Sequence, residues 1–251
     1  MTDRAPRPMR VAIVDDEAPA RALLREYLDG VPDVEVVAEC ANGFEAVKAV
    51  GELDPDLLLL DIRMPKLDGF EVLELLERDV AVVFVTAYDE HALRAFEVNA
   101  VDYLLKPLAK DRLLQALDRA RARLREGRPF PAAGVLAAVR PPGAPLARVL
   151  VREGSRVHVI PVEKLDLVEA RDDYVCLHSG GNEYRKQQTV AALAAQLDPV
   201  RFVRVHRSFI VNVERLAGIE LYAKDSRIAI LRDGTKIPLS RAGYARLREL
   251  L

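Results

Sequence analysis

The apolar positions of the chain follow two different periods. Up to about residue 125, short β-rich runs at Met9–Val14, Val34–Cys40, Leu57–Leu60, Val80–Thr86 and Val101–Leu105 alternate with stretches of helical spacing. In the first such stretch Leu23, Leu24, Tyr27 and Leu28 share a face, and Pro19 falls in the first turn, where its missing N–H costs nothing. The others cover about 43–53, 69–78, 90–98 and 111–125. Strand alternating with helix five times predicts parallel strands joined by helical crossovers, an α/β doubly wound five-stranded parallel sheet. The run Leu57–Leu60 is apolar on both faces, as a central strand requires.

The pattern breaks between 126 and 146. Glu126-Gly127-Arg128-Pro129-Phe130-Pro131 and Arg140-Pro141-Pro142-Gly143-Ala144-Pro145 can neither continue a helix nor enter a central strand, so a linker is predicted, with room for a brief helical turn at 132–139. Beyond it the period is two. Strands are predicted at Val149–Arg152, Arg156–Ile160, Leu165–Ala170, Tyr174–His178, Glu183–Gln187, Phe202–Val205, Ile219–Ala223 and Arg227–Leu231. Gly154-Ser155, Gly180-Gly181-Asn182 and Asp233-Gly234 supply the turn chemistry of antiparallel hairpins. Helical pieces are expected at Val190–Leu197 and Ser240–Leu251. The division is therefore a domain at 1–125, a linker at 126–146 and a mostly β domain at 147–251, without a helix-turn-helix.

Composition sharpens this picture in two places. No stretch of the 251 residues approaches the roughly 18 uncharged apolar residues of a membrane helix. The first eight residues lead directly into a strand-like run and leave no room for a signal peptide, so a soluble, cytoplasmic protein is expected. Cys40 and Cys176 are too far apart in sequence for a disulfide framework or a cysteine zinc site. The net charge of -2 conceals an asymmetry: 17 Lys+Arg against 25 Asp+Glu in residues 1–125, and 20 against 14 in 126–251. A basic second half is drawn to a polyanion such as nucleic acid, although the same imbalance also serves plain solubility.

In an open α/β sheet, ligands sit at the carboxyl ends of the strands, and the acidic residues of the first half fall there. Asp15-Asp16-Glu17 follows the first strand and Asp61 the third; Thr86 ends the fourth, and Lys106-Pro107 follows the fifth. Three carboxylates converging in one cleft repel unless a hard divalent cation lies between them. A lysine and a hydroxyl beside them suit phosphoryl oxygens, so the set fits phosphoryl transfer to a carboxylate. Taken singly, an Asp-Asp pair after a strand is a helix cap, Lys-Pro a loop, Thr86 a strand-end residue and Tyr103 a core aromatic. The residues after Asp61 are Ile62 and Arg63, not the Asp-x-Asp pattern of carboxylate-phosphorylating hydrolases.

VAIVDDE, LLLLDIRMP, VVFVTAYDE and AVDYLLKPL, in this order over residues 9–125, resemble the receiver domain of two-component response regulators. The resemblance implies that Asp61 accepts phosphate from a sensor histidine kinase. It implies Mg²⁺ held by Asp16, Asp61 and the Arg63 carbonyl, with Asp15 acting mainly through water. Lys106 and Thr86 would bind the phosphoryl group, and Tyr103 would be the aromatic switch. The face formed by the 90–98 helix, the fifth strand and the last helix would then repack and dimerise. Its surface residues, among them Arg94, Glu97, Asp102, Lys110, Asp111 and Arg112, are mixed in sign.

In the basic half, His158, His178 and His206 are scattered singly, without metal-ligand spacing or a Ser/His/Asp constellation, so no enzyme is expected. Arg201-Phe202-Val203-Arg204-Val205-His206-Arg207-Ser208-Phe209-Ile210-Val211-Asn212 sets Arg204, His206, Arg207 and Ser208 at a strand-to-turn junction between apolar anchors. Arginine reads guanine edges bidentately and Ser or His bonds phosphates or bases, while a solvated edge strand would look much the same. Together with LVEARDDYVCLH at 167–178 and GTKIPLSRAGYARL at 234–247, this stretch resembles the LytTR output domain of LytR/AlgR regulators. The resemblance implies an elongated β structure that presents loops to successive major grooves of double-stranded DNA. The implied contacts are the 171–174 loop with Asp172, Asp173 and Tyr174, then His206, Arg207, Ser208 and Arg241, with Lys186 and Arg204 on phosphates and Arg185 as a weaker candidate. Asp172 and Asp173 either accept hydrogen bonds from cytosine or shape the turn. The expected whole is a phosphorylation-dependent transcription regulator that dimerises on activation, with no membrane partner. A phosphorylation-dependent module binding a protein or membrane phosphates is the competing reading, and an RNA reader a weaker one for want of an exposed aromatic stacking set.

Overall fold

In a computed structural model, the chain divides into two compact units, Met1–Pro141 and Pro142–Leu251. The structure describes residues 7–76, 78–87, 100–126, 145–154, 156–223 and 226–250. The expected helix at 90–98, with Arg94 and Glu97, and nearly all of the 126–146 linker lie outside the described residues.

The first unit is built on β1 (Met9–Val14), β2 (Val34–Cys40), β3 (Leu57–Leu60), β4 (Ala81–Thr86) and β5 (Asp102–Leu105), all parallel in the order β2-β1-β3-β4-β5. The leucines of β3 are completely buried, as a run apolar on both faces requires. Helices α1 (Ala18–Leu28), α2 (Gly43–Leu53), α3 (Gly69–Leu75) and α4 (Lys110–Arg125) connect or follow the strands. Leu24 and Leu28 of α1 and Leu113, Ala116, Leu117 and Ala120 of α4 pack against Val11, Ile13, Leu59 and Val83 of the sheet. The strand order reverses at β1, so the carboxyl ends of β1 and β3 flank the crevice where such sheets bind ligands.

The second unit is antiparallel throughout. A five-stranded sheet has the order β10-β9-β8-β12-β11, from β8 (Leu165–Arg171), β9 (Tyr174–Ser179), β10 (Asn182–Lys186), β11 (Phe202–His206) and β12 (Phe209–Asn212). One face packs on the hairpin of β6 (Arg148–Glu153) and β7 (Arg156–Pro161) and on α5 (Val190–Ala194), burying Val168, Leu177, Phe202 and Ile210. The other face packs on β13 (Leu216–Ala223), β14 (Ser226–Leu231), β15 (Lys236–Leu239) and α6 (Arg241–Arg248), burying Leu167, Val203, Val205 and Val211. Successive residues of β11 and β12 thus serve two cores, the consequence of the two-residue period.

The structure adds β15 to the expected strands and makes the apolar anchor at 209–211 part of a strand, β12. β15 carries Pro238, which is tolerated because β15 is an edge, where a residue without N–H costs no ladder bond. The two helices are shorter than the helical spacing suggested, α5 ending at Ala194 and α6 beginning after the Ser240 cap.

Candidate functional site

The sheet ladder carries the acidic residues to one place. The Asp61 amide donates to the Val14 carbonyl at 2.8 Å, and the Asp15 amide to the Cys40 carbonyl at 3.1 Å, so both carboxylates sit just past their strand ends. Oxygens of Asp15, Asp16 and Asp61 lie within 4.8 Å of one another, with Asp15 and Asp61 buried and Asp16 exposed. Three carboxylates at this spacing suit a hard divalent cation. Lys106 Nζ lies 2.7 Å from Asp61 Oδ2, 2.7 Å from Asp15 Oδ2 and 3.6 Å from Glu17 Oε2. Burial alone would lower the pKa of Lys106, but the two carboxylates outweigh it and hold the ammonium protonated well above the ordinary lysine range. Burial pushes the Asp15 carboxyl above the ordinary range, opposed by the Lys106 ammonium and by the Glu17 amide, which donates to its Oδ1 at 2.9 Å.

The flanking elements fix this pocket. The Lys106 amide donates to the Thr86 carbonyl at 2.8 Å, which holds the lysine and the threonine at neighbouring strand ends, and the Lys106–Pro107 peptide is cis. Thr86 is fully buried, and among the described residues its Oγ1 has no hydrogen-bond partner. A buried hydroxyl left without a partner is costly, and a phosphoryl oxygen would satisfy it. The Arg63 amide donates to Asp61 Oδ1 at 3.3 Å. Tyr103 is half-buried, its ring 6.5 Å from that of Phe84 and tilted by 55°. Asp102, expected on the surface, is buried and paired with Arg119 at 2.7 Å and Arg112 at 3.5 Å, because its strand faces α4.

Beyond the acidic run, two supports of this site, Arg21 and Gly69, do not follow from the pattern of apolar and polar positions. Arg21 Nη1 donates to the Asp15 carbonyl at 2.7 Å, and Glu17 reaches toward Lys106. Gly69 packs so closely that a Cβ there would stand 2.5 Å from the Asp61 carbonyl oxygen. Only the Asp68-Gly69 dipeptide hinted at it, as turn chemistry.

In the second unit, the antiparallel pairing brings the other candidates to one end of the five-stranded sheet. Arg171 pairs with Tyr174 across a two-residue turn of Asp172 and Asp173; His206 pairs with Phe209 across a turn of Arg207 and Ser208. Phe209 also pairs with Glu169, and the Ala170 amide donates to the Ser208 carbonyl at 2.7 Å, so the two turns are neighbours. Asp172 has φ 47°, and Asp173 Oδ2 accepts from Gln187 Nε2 at 2.9 Å. Both acidic residues are exposed. Tyr174 is half-buried, with the Arg185 guanidinium 5.7 Å from its ring centroid. The His206 Nδ1 accepts from the Ser208 amide at 3.3 Å. Lys186 Nζ donates to the Leu150 carbonyl at 2.8 Å and Arg204 Nη2 to the Arg207 carbonyl at 2.8 Å, so both cations are engaged inside the protein. Arg207 and Arg241 are exposed, and among the described residues neither side chain has a partner.

Comparison with known proteins agrees with both halves. Residues 11–118 match the response regulator receiver domain and 155–251 the LytTr DNA-binding domain. The chain belongs to the response regulators with a LytTR output domain. It is 37% identical over 247 residues to the transcriptional regulatory protein BtsR of Salmonella typhi, covering 97% of this chain and 99% of the relative. It is 30% identical over 250 residues to the sensory transduction protein LytT of Bacillus anthracis, covering 97% and 99%. The solved response regulatory domain of mrkE from Klebsiella pneumoniae is 31% identical and covers 47% of this chain and 99% of that one, with a TM-score of 0.44. This LytTR response regulator therefore combines a receiver with a DNA-binding domain, in a family of transcription regulators rather than enzymes. No helix among its described residues is long and apolar enough to cross a membrane.

Proposed function

We propose that this regulator accepts a phosphoryl group on Asp61 from a sensor histidine kinase and thereby switches DNA binding by its LytTR domain. The observation that carries this reading is the Lys106 ammonium, 2.7 Å from both Asp61 and Asp15 in the three-carboxylate pocket. An Asp61 oxygen attacks the phosphorus of the donor's phosphohistidine; the P–N bond breaks, and the imidazole leaves with its electron pair and takes a proton from solvent. Asp15, Asp16, Asp61 and the Arg63 carbonyl would hold Mg²⁺, which supplies neutralisation of the phosphoryl charge. Lys106 then exchanges its contact with the Asp61 carboxylate for one with a phosphoryl oxygen. Thr86 moves toward the phosphoryl group to satisfy its unpartnered hydroxyl, and the space it leaves lets Tyr103 change rotamer beside Phe84. The receivers then pair, and two LytTR domains bind half-sites one or two helical turns apart, at ~34–36 Å per turn. Within each domain, Arg207, Ser208, His206, Arg241 and the 171–174 turn face the DNA. Domain bounds near 1–125 and 147–251, with 126–146 as linker, fit this division of labour.

The test is phosphorylation by a small phosphodonor with Mg²⁺. Wild-type protein should acquire one acyl phosphate, labile to hydroxylamine, and Asp61→Asn none; label that persists in Asp61→Asn would remove Asp61 from the role. A salt titration separates DNA binding from binding of a protein or a membrane. A DNA reader keeps a large preference for its selected site while its affinity falls steeply with salt.

A further inference from the structure

Resting on the DNA-binding reading, we infer that Arg204 and Arg246 are positioning residues rather than phosphate contacts: they lock the Arg207–Ser208 turn onto the C-terminal helix, so that Arg207 and Arg241 meet DNA at a fixed spacing. Strand β11 bulges between Arg204 and His206, and Val205 has no ladder partner across β12. Its carbonyl instead accepts two hydrogen bonds from Ser240, from the amide at 2.9 Å and from Oγ at 3.0 Å. Ser240 Oγ also accepts from the Gly243 amide at 2.9 Å, capping α6 directly over the bulge. Gly243 lies against the Val205 backbone so closely that a Cβ would overlap the Val205 carbonyl. The completely buried Leu247 fixes the same helix into the core.

Two arginines close the arrangement. Arg246 Nη2 reaches back from α6 to the Arg204 carbonyl at 2.6 Å, and Arg204 Nη2 reaches forward to the Arg207 carbonyl at 2.8 Å. The relay runs helix, strand, turn, and ends on the residue whose side chain is exposed and unpartnered among the described residues. Arg241 is the first residue of α6, so the seat on Val205 sets its position too. An Arg204 guanidinium folded back on the Arg207 carbonyl is held toward the turn by that bond, and reaching out to a phosphate would mean giving the bond up or sharing the group. The basic composition of Arg204, read from sequence as a phosphate contact, here serves geometry.

Salt dependence distinguishes the two roles. Affinity for a site selected from random DNA, and for random DNA, is measured against salt for the full chain and for Arg204→Met and Arg246→Met. Preference for the selected site should fall roughly tenfold in each variant, the scale of one lost charge-assisted hydrogen bond, while the slope of log affinity on log salt stays that of wild type. A slope smaller by about one with the preference intact means a direct phosphate contact and overturns the inference. A second arm needs no DNA: amide exchange at Ser208 and Ala170, whose bonds hold the turn, should accelerate in both variants and in Gly243→Ala. Unchanged exchange overturns the positioning role. Wild-type protein without preference for any DNA sequence would remove the DNA reading itself, and the exchange arm would still decide what the two arginines do.

Discussion

Asp61 and Asp15 share one ammonium, and the residues around them show how far side-chain chemistry is legible in sequence. The pocket could be read because each of its members ends a strand, and strand ends are visible as the limits of apolar runs. Arg204 could not, because nothing in its spacing tells a cation aimed at solvent from one folded onto a carbonyl three residues away. Asn212 shows the same limit. It is completely buried, its Nδ2 donating to the Leu165 carbonyl at 2.8 Å and its Oδ1 accepting from the Glu214 amide at 3.0 Å. Asn212→Ala leaves both backbone groups unsatisfied and should destabilise the C-terminal unit by about 1–3 kcal/mol, read from urea unfolding. At Cys40, burial, and secondarily Glu45, pushes the thiol from 9.0 up to about 11. The folded state keeps its proton where the unfolded state loses it, so this contribution is intact below pH 9 and is lost as pH rises toward 11. Wild-type receiver should lose about 1 kcal/mol between pH 8 and pH 10 that Cys40→Ala does not lose. Equal pH profiles for the two would contradict the assignment.

At the scale of elements, periodicity gave the strand and helix alternation of the receiver and the hairpins of the second unit, since both follow from which positions must be apolar. What it missed are elements fixed by neighbours: β15 as a proline-bearing edge, and the close seat of α3. Helix α3 begins with a capping box, in which Asp68 accepts from the Glu71 amide at 2.8 Å and Glu71 from the Asp68 amide at 2.9 Å. Its first residue, Gly69, touches the Asp61 backbone and donates to the Ile62 carbonyl at 2.8 Å. The start of α3 therefore sets where the phosphoacceptor sits. Gly69→Ala must displace either the helix or the Asp61 loop. It should cost about 1–3 kcal/mol of receiver stability, the usual scale of overpacking, and slow labelling by a small phosphodonor. Unaltered labelling would show that the loop can shift without disturbing Asp61.

Across the whole molecule, a net charge of -2 is the near-cancellation of an acidic receiver and a basic DNA-binding half. The acidic excess includes the three carboxylates of the pocket, and the basic excess supplies Arg207 and Arg241. An acidic receiver tethered to the same chain should lower the net attraction of the basic half for a polyanion, a screening by charge alone that weakens with salt. Removing residues 1–125 should then raise DNA affinity, and unchanged affinity would dispose of the screening idea. The coupling of Asp61 to DNA is read from the affinity of the full chain for a selected DNA site with and without a small phosphodonor and Mg²⁺. Binding should tighten on phosphorylation in wild type, with none of that gain in Asp61→Asn. Equal affinity in wild type with and without demonstrated phosphorylation would contradict the coupling.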